Sequence, residues 1–386
     1  MLEWKLIRLG DICKTNENSY YPKDNWKFVN YLDTGSLTEN KITELQYINT
    51  KTDKMPSRAR RKVIKNSILY STVRPNQLHY GIIKESVDNL LVSTGFTVID
   101  VDTNKAIPEF IYYLLIQNNT TEQLQAIAEQ SVSTYPSIKP SDIENLEFKL
   151  PNLIIQSKIV SILDTIDSKI CQNEKINNNL EQQAQAIFKS WFIDFEPFSN
   201  RKPSDWSVST LGNVSIMGAG GDKPQNVSPR KTDLYEYPIY SNGLSNEGLY
   251  GFTDNPKVSE ESVTVSARGT IGFVCLRHIP YVPIVRLVTL IPKTEIISAK
   301  YLYLWLKQLH IIGTGTTQQQ LTVPDFQKTE ILVPSKEIVT LFTATVEPIF
   351  EKIWANQNEN EKLSSLRDTL LPKLMSGELD VSDIEL

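Results

Sequence analysis

The chain is written twice, and whatever fold it adopts must accommodate that duplication. Trp4-Lys-Leu-Ile-Arg-Leu9-Gly10-Asp11-Ile12 returns at offset 202 as Trp206-Ser-Val-Ser-Thr-Leu211-Gly212-Asn213-Val214. Ile111-Tyr-Tyr-Leu-Leu-Ile-Gln117 returns at offset 191 as Leu302-Tyr-Leu-Trp-Leu-Lys-Gln308. Ile138, Asp142, Ile143, Glu147 and Pro151 return at offset 183 as Leu321, Asp325, Phe326, Glu330 and Pro334. The offset shrinks because the first copy carries longer loops. An ordered series of this kind predicts two structural units built to one plan. A length of 386 residues suits it.

Each copy has the same internal order. A strand-rich section comes first, with β-branched runs such as Ser67-Ile-Leu-Tyr-Ser-Thr-Val73 and Ser262-Val-Thr-Val-Ser266 between Gly, Pro and Asn turn signals. A short amphipathic helix follows, near 108–117 and 298–309, then a closing strand ending at Pro151 or Pro334. Last comes a long segment of helical period, about 152–196 and 335–376, almost free of Gly. Boundaries are therefore expected near 151, 199 and 335, giving segments 1–151, 152–198, 199–334 and 335–386. Pro197-Phe-Ser-Asn-Arg-Lys-Pro203 reads as the linker between halves.

The long segments carry matched heptads. In the first, Ile159, Ile166, Asn173, Leu180 and Ile187 fall at a, and Leu163, Ile170, Asn177, Ala184 and Trp191 at d. In the second, a holds Phe342, Ile349, Asn356, Leu363 and Leu370, and d holds Val346, Ile353, Asn360, Arg367 and Leu374. A seam of period 3.5 calls for a partner helix, and each copy supplies one to the other. The Asn at matched mid-seam positions fit either a solvated stretch or a polar layer that fixes register at some cost in stability.

Several chemistries lack their residues. The three histidines, His79, His278 and His310, have no metal-binding spacing, and no phosphate-cradling Walker sequence occurs. Gly218-Ala-Gly-Gly-Asp222 is followed by Lys223-Pro224 instead of an apolar helix start, so a dinucleotide fingerprint fails. Cys13, Cys171 and Cys275 are odd in number and far apart, which speaks against a disulfide framework or zinc site. No catalytic residue and no bound metal are expected. No apolar run approaches bilayer length and Met1–Gly10 has no signal-peptide core, so a soluble cytoplasmic protein without a membrane partner is expected.

The formal net charge of −5 argues on its face against nucleic acid, but the charge is unevenly spread. Residues 51–84 hold nine basic side chains and one acid, Asp53. Lys54, Arg58, Arg60, Arg61 and Lys62 are candidates for phosphate contact there, and Arg74, Asn76, Gln77 and Tyr80 for base reading. A solvated basic loop would produce the same window. The second copy offers Lys223, Arg230 and Lys231 for phosphates and Arg268 for bases. Two polar stretches fall at corresponding places before the closing strands. Thr134 and Tyr135 in one, and Thr317, Gln318, Gln319 and Gln320 in the other, are further base-reading candidates, since Gln and Thr side chains can hydrogen-bond base edges.

At this point the chain resembles a known family, the specificity (DNA-recognition) subunits of type I restriction-modification enzymes. The resemblance spans essentially its whole length. Its most specific parts are Ala184-Gln-Ala-Ile-Phe-Lys-Ser-Trp-Phe-Ile-Asp-Phe-Glu-Pro-Phe198 and Leu366-Arg-Asp-Thr-Leu-Leu-Pro-Lys-Leu-Met-Ser-Gly-Glu378, with Ile68-Leu-Tyr-Ser-Thr-Val-Arg-Pro75 and Arg268-Gly-Thr-Ile-Gly272 in support. It implies an α+β fold: two strand-rich target-recognition domains separated by two long helices packed as an antiparallel coiled coil, with pseudo-twofold symmetry. It further implies a double-stranded DNA partner with a bipartite target and docking of two modification subunits that carry S-adenosylmethionine and methylate adenine N6. Restriction subunits using ATP and Mg would join them, and no cofactor would sit on this chain. Two rivals stand beside it. One is a non-catalytic protein- or glycan-binding scaffold built from a duplicated module, which leaves the basic window unexplained. The other is a nuclease fused to its reader, for which Asp325 and Glu330 are present but Leu332 stands where a Lys is expected.

Overall fold

The computed structural model describes residues 4–131, 135–313 and 319–384. Its contacts divide into two compact units, one of residues 1–172 with 359–386 and the other of residues 173–358. Both are α+β and both follow one plan. In the first unit, Cys13–Thr15, Phe96–Val101, Ile68–Ser71 and Tyr80–Ile82 form an antiparallel sheet in that order; in the second, Ser215–Ala219, Val288–Pro292, Ser262–Val265 and Val274–Arg277 repeat it. Every residue of Ile68–Ser71 and of Ser262–Val265 is buried, which is why these strands read as unbroken runs instead of alternating ones.

A second sheet in the first unit orders Gln46–Asn49, Phe28–Leu32, Leu90–Ser93 and Ala59–Lys62, with the middle pair parallel. Its counterpart holds Leu249–Thr253, Tyr237–Tyr240 and Val282–Pro283 and, among the described residues, no equivalent of the Ala59–Lys62 strand. Opening and closing strands pair in both units: Lys5 faces Leu150, and Ser207 faces Val333. Those two pairings preserve offsets 202 and 183, so the sequence repeat is a repeat of strand register.

Two continuous helices, Leu153–Phe192 and Lys336–Ser376, each lend one half to each unit. In the first unit Arg367 Nη1 lies 3.1 Å from Asp167 and Asn360 donates to the Ile170 carbonyl at 3.4 Å. Numbers rise on one helix as they fall on the other, so the pairing is antiparallel. In the second unit Asn356 donates to Asn177 Oδ1 at 2.7 Å, and Asn177 to the Ile353 carbonyl at 3.3 Å. Asn173 and Asn356 are buried.

The heptad is followed through Ile159, Leu163, Ile166, Asn173 and Ala184, then the buried face moves by one residue. Phe188 and Phe192 are buried, whereas Ile187 and Trp191 are half-buried. A straight helix drifts about 20° per heptad against a 3.5 repeat, and here the last turns pack on the strand-rich module as well as on the partner helix. Phe192 sits 4.9 Å from both Tyr301 and Phe342 and 5.6 Å from Trp206, centroid to centroid.

The modules close their cores on these helices. The first core joins Leu9, Tyr70 and Phe110 to Ile159, Leu163 and Leu374. The second joins Trp206, Val263 and Tyr301 to Phe188, Phe192 and Phe342. A tyrosine of each short helix adds a polar tie to the first long helix. Tyr113 donates to Asp164 and Asp167 at 3.0 and 2.7 Å, and Tyr303 to Glu181 at 2.6 Å. Trp4 and Trp206, the repeated opening residues, seal matching helix ends. Trp206 lies 5.0 Å from Phe198 beyond the first helix. Trp4 packs on Gly377 beyond the second, where φ is 76° and a Cβ would fall 2.9 Å from the indole. Only glycine fits there.

The Asn356–Asn177 bond sets an expected outcome. Asn356→Leu alone should cost about 1–2 kcal/mol, because Asn177 loses its donor in a half-buried place. The double change with Asn177→Leu should recover that loss or exceed wild type, as measured by thermal unfolding. Equal losses in single and double variants would show the pair to be uncoupled.

Candidate nucleic-acid interface

The basic window of the first unit lies along one sheet edge. Arg58 precedes the Ala59–Lys62 strand, and its carbonyl accepts from the Thr94 N–H at 2.9 Å. The neighbouring Gly95 carbonyl accepts from the Thr72 N–H and hydroxyl, at 2.8 and 2.9 Å. Two residues on is Arg74. The Ser93–Gly95 turn therefore carries the edge from Arg58 across to Arg74. Arg58, Arg60 and Arg74 are exposed, and none has an acid partner among the described residues.

Arg74 holds an unusual backbone, φ 49°, directly before Pro75. Both the left-handed region and the pre-proline position disfavour that conformation. Its N–H donates to the Pro136 carbonyl at 2.9 Å, and its guanidinium sits 5.0 Å from the Tyr135 ring centroid. Two separate candidates from the sequence, Arg74 and Tyr135, are thus in contact. Asn76 and Gln77 form the exposed turn beside it, with the Asn76 amide donating to Gln125 at 3.2 Å.

Other candidates take other roles. Tyr80 is buried, stacked on Tyr70 at 5.9 Å and edge-on to Tyr112 at 6.4 Å. Burial, with Glu39 nearby, drives its hydroxyl well above the ordinary tyrosine range. It is a core residue without a surface from which to reach a base. Lys62 is committed to Asp24 at 2.9 Å and to the Trp26 ring at 5.3 Å. The Tyr21 amide and Lys62 together hold the Asp24 carboxyl below its usual value. Arg61 is half-buried, since the strand turns it to the Ala59 side. Lys54 is exposed in the turn after Gln46–Asn49, apart from Arg74. Thr134, Thr317 and Gln318 lie outside the described residues.

The second unit assembles a concave surface of about 550 Å³ from Gly220–Lys223, Tyr250, Arg268 and Ile284–Arg286. Arg268 donates to Gln320 Oε1 at 3.1 Å, so the second Arg also meets the stretch before the closing strand. Leu321 N–H to the Ala267 carbonyl repeats Ile138 N–H to the Thr72 carbonyl. Gln319 is exposed next to it. Arg230 and Lys231 are exposed too, but on a separate loop beyond the Ser228–Phe252 bridge.

Two cations here were not singled out from the sequence. Lys257 Nζ lies 3.9 Å from where a Gly221 Cβ would be, and Arg286 lines the same hollow. Arg286 sits inside Ile284-Val-Arg-Leu-Val288, an apolar run with no Gly or Asn to announce the turn it makes. Burial pushes the Cys275 thiol up to about 12, and burial with Lys300 lowers His278 to about 4. Among the described residues, no group of His, Cys, Asp and Glu is arranged for a metal, and no helix is long and apolar enough to cross a membrane.

Comparison with known proteins follows the same division. The family model described as "Type I restriction modification DNA specificity domain" matches residues 1–182 and 203–364. The type I restriction enzyme HindI specificity subunit of Haemophilus influenzae is 30% identical over 463 residues, covering 98% of this chain and 100% of that one. The MjaIX specificity subunit of Methanocaldococcus jannaschii is 26% identical, covering 83% of this chain and 79% of the relative. Among solved structures, the type I restriction-modification S subunit from M. genitalium superposes with a TM-score of 0.56 at 17% identity, covering 97% and 96% of the two chains. That last likeness is one of fold.

If the exposed edge meets DNA phosphates, Arg58→Ala and Arg60→Ala should each flatten the log affinity–log salt slope by about 0.9. Lys62→Met should leave the slope alone and lower the melting temperature. Filter retention across a salt series, with melting curves, checks both; an unchanged slope in the Arg variants would remove this edge from the interface.

Proposed function

The chain belongs to the type I restriction-modification DNA specificity family, and on that premise we propose how it works as the DNA sequence-recognition subunit of such a system. Each unit reads one half of a bipartite double-stranded target. The long helices, shared by both units, hold the two readers at a set spacing and so leave a spacer unread. Two modification subunits dock on the chain, and restriction subunits join them. Adenine N6 methylation with S-adenosylmethionine, and cleavage driven by ATP and Mg, belong to those partners, and this chain contributes recognition alone.

One observation carries this reading. In each unit an exposed Arg, Arg74 or Arg268, emerges just past a fully buried strand and is held by a residue of the stretch before the closing strand, Tyr135 or Gln320. Arg is the residue best shaped for bidentate contact with guanine or phosphate, and here it is pre-positioned twice on one scaffold. Backbone-neutralising cations around it would supply affinity without sequence preference, while such held side chains would supply discrimination.

Methylome sequencing of cells expressing this chain with its modification subunits should reveal one bipartite motif with methylated adenines. Arg74→Ala should relax one position in one half of it, and Arg268→Ala one position in the other. Methylation at a single unsplit motif, or none dependent on this chain, would overturn the proposal.

A further inference from the structure

We propose that Arg286 determines specificity in the second unit, reading a base from within the Lys223, Lys257, Arg268 and Arg286 surface; this rests on the DNA-recognition reading above. Val285 and Arg286 take φ of 53° and 65°. L residues avoid that region, β-branched Val most of all. Such a pair persists only where its surroundings over-determine it, and strain of this kind gathers at ligand sites. Here the turn is held from both sides. Val285 N–H donates to the Gly221 carbonyl and Arg286 N–H to the Gly220 carbonyl, both at 2.8 Å. Gly220 N–H returns a bond to the Leu287 carbonyl at 2.8 Å, and Asn242 caps the Val285 carbonyl at 2.6 Å. A Cβ on Gly220 would lie 2.7–2.8 Å from the Ile284 backbone, so the close approach needs glycine.

At the equivalent place the first unit turns without that side chain and without the left-handed backbone, since neither Thr94 nor Gly95 takes a positive φ. Val282 pairs with Ile239 as Leu91 pairs with Tyr31, which at offset 191 sets Val285 and Arg286 on Thr94 and Gly95. A Cβ on Gly95 would lie 2.6 Å from Thr34 Oγ1, so any side chain there would require Thr34 to shift. The second unit takes the left-handed backbone there and carries a guanidinium on it.

Its neighbours define the ligand. Lys223, Lys257, Arg268 and Arg286 are exposed and form no ion pair among the described residues, and Asp222 is the one acid lining the hollow. Unpaired positive charge gathered in a concavity suits a polyanion, and the duplex supplies one. Lysines 223 and 257 act as point charges for phosphates. Arg268 is tied to Gln320, while Arg286 combines a fixed backbone with an uncommitted fork that matches guanine O6 and N7.

The test uses the full-length chain assembled with its modification subunits and a randomised duplex pool, counting the sequences retained. Wild type should enrich one bipartite motif. Arg286→Lys and Arg286→Gly should each lose preference at a single position of one half, on the order of tenfold. Arg286→Gly relieves the left-handed strain, so its loss cannot come from misfolding. Lys223→Ala should weaken all sequences alike. Full preference in Arg286→Lys, or a uniform loss in Arg286→Gly, would make Arg286 a phosphate contact and overturn the assignment. Failure of wild type to enrich any motif would instead defeat the recognition reading itself.

Discussion

The largest core of each unit is completed only by residues of the long helices, and the rest of the structure depends on that closure. The apolar faces of the short helices and closing strands meet Ile159, Leu163 and Leu374 in one unit and Phe188, Phe192 and Phe342 in the other. Full burial of side chains of this size is worth roughly 1.5–3 kcal/mol each, against about 0–1 for an exposed ion pair. Apolar contact therefore supplies the adhesion. The directional bonds of Tyr113 and Tyr303 to carboxylates on the first long helix specify the seating. A module attached in this way is fixed in orientation to the helix segment of its own unit.

Charge is divided along the same lines. A total of −5 averages a window of nine bases and one acid with a C-terminal stretch, 347–386, of nine acids and four bases. Counting bases overstates the interface, because several are spent internally. Lys62 holds Asp24, Lys84 holds Asp164, and Lys300 bridges Glu261 and Glu347 at 2.7 and 3.1 Å. Exposed cations that form no ion pair among the described residues include Arg58, Arg60 and Arg74 in one unit, and Lys223, Lys257, Arg268 and Arg286 in the other. Their lack of acid partners matters more than their number, since an unpaired cation loses less on meeting a phosphate.

Much of the architecture was legible because duplication writes register directly. Offsets of 202 and 183 predict that Ser207 and Val333 face each other if Lys5 and Leu150 do. The heptads were legible up to Ala184, where packing on a module displaces packing on a helix. Site residues were harder. Tyr80 and Lys62 have the right chemistry, but a strand alternates its faces and sequence alone does not say which face is covered. Arg74 stood out within the basic window of residues 51–84, and Arg268 in the weaker counterpart of that window in the second copy. Arg286 carried no such mark: its turn is imposed by Gly220 and Gly221, more than sixty residues away in the chain.

The two copies differ where register leaves them free to. Strand order in the main sheets is the same, so its residues are constrained alike. The first unit adds an edge strand, Ala59–Lys62, and keeps glycine at the turn beside it; the second has no such strand among the described residues and places an arginine, on a left-handed backbone, at the corresponding position. Exposed cations are thus carried beside a strand in one unit and on a strained loop in the other. A loop side chain can be exchanged without altering the sheet that supports it, whereas a change in Ile68–Ser71 or Ser262–Val265 would disturb a fully buried strand. Side chains on such turns can therefore differ between the halves without disturbing the strands beneath them.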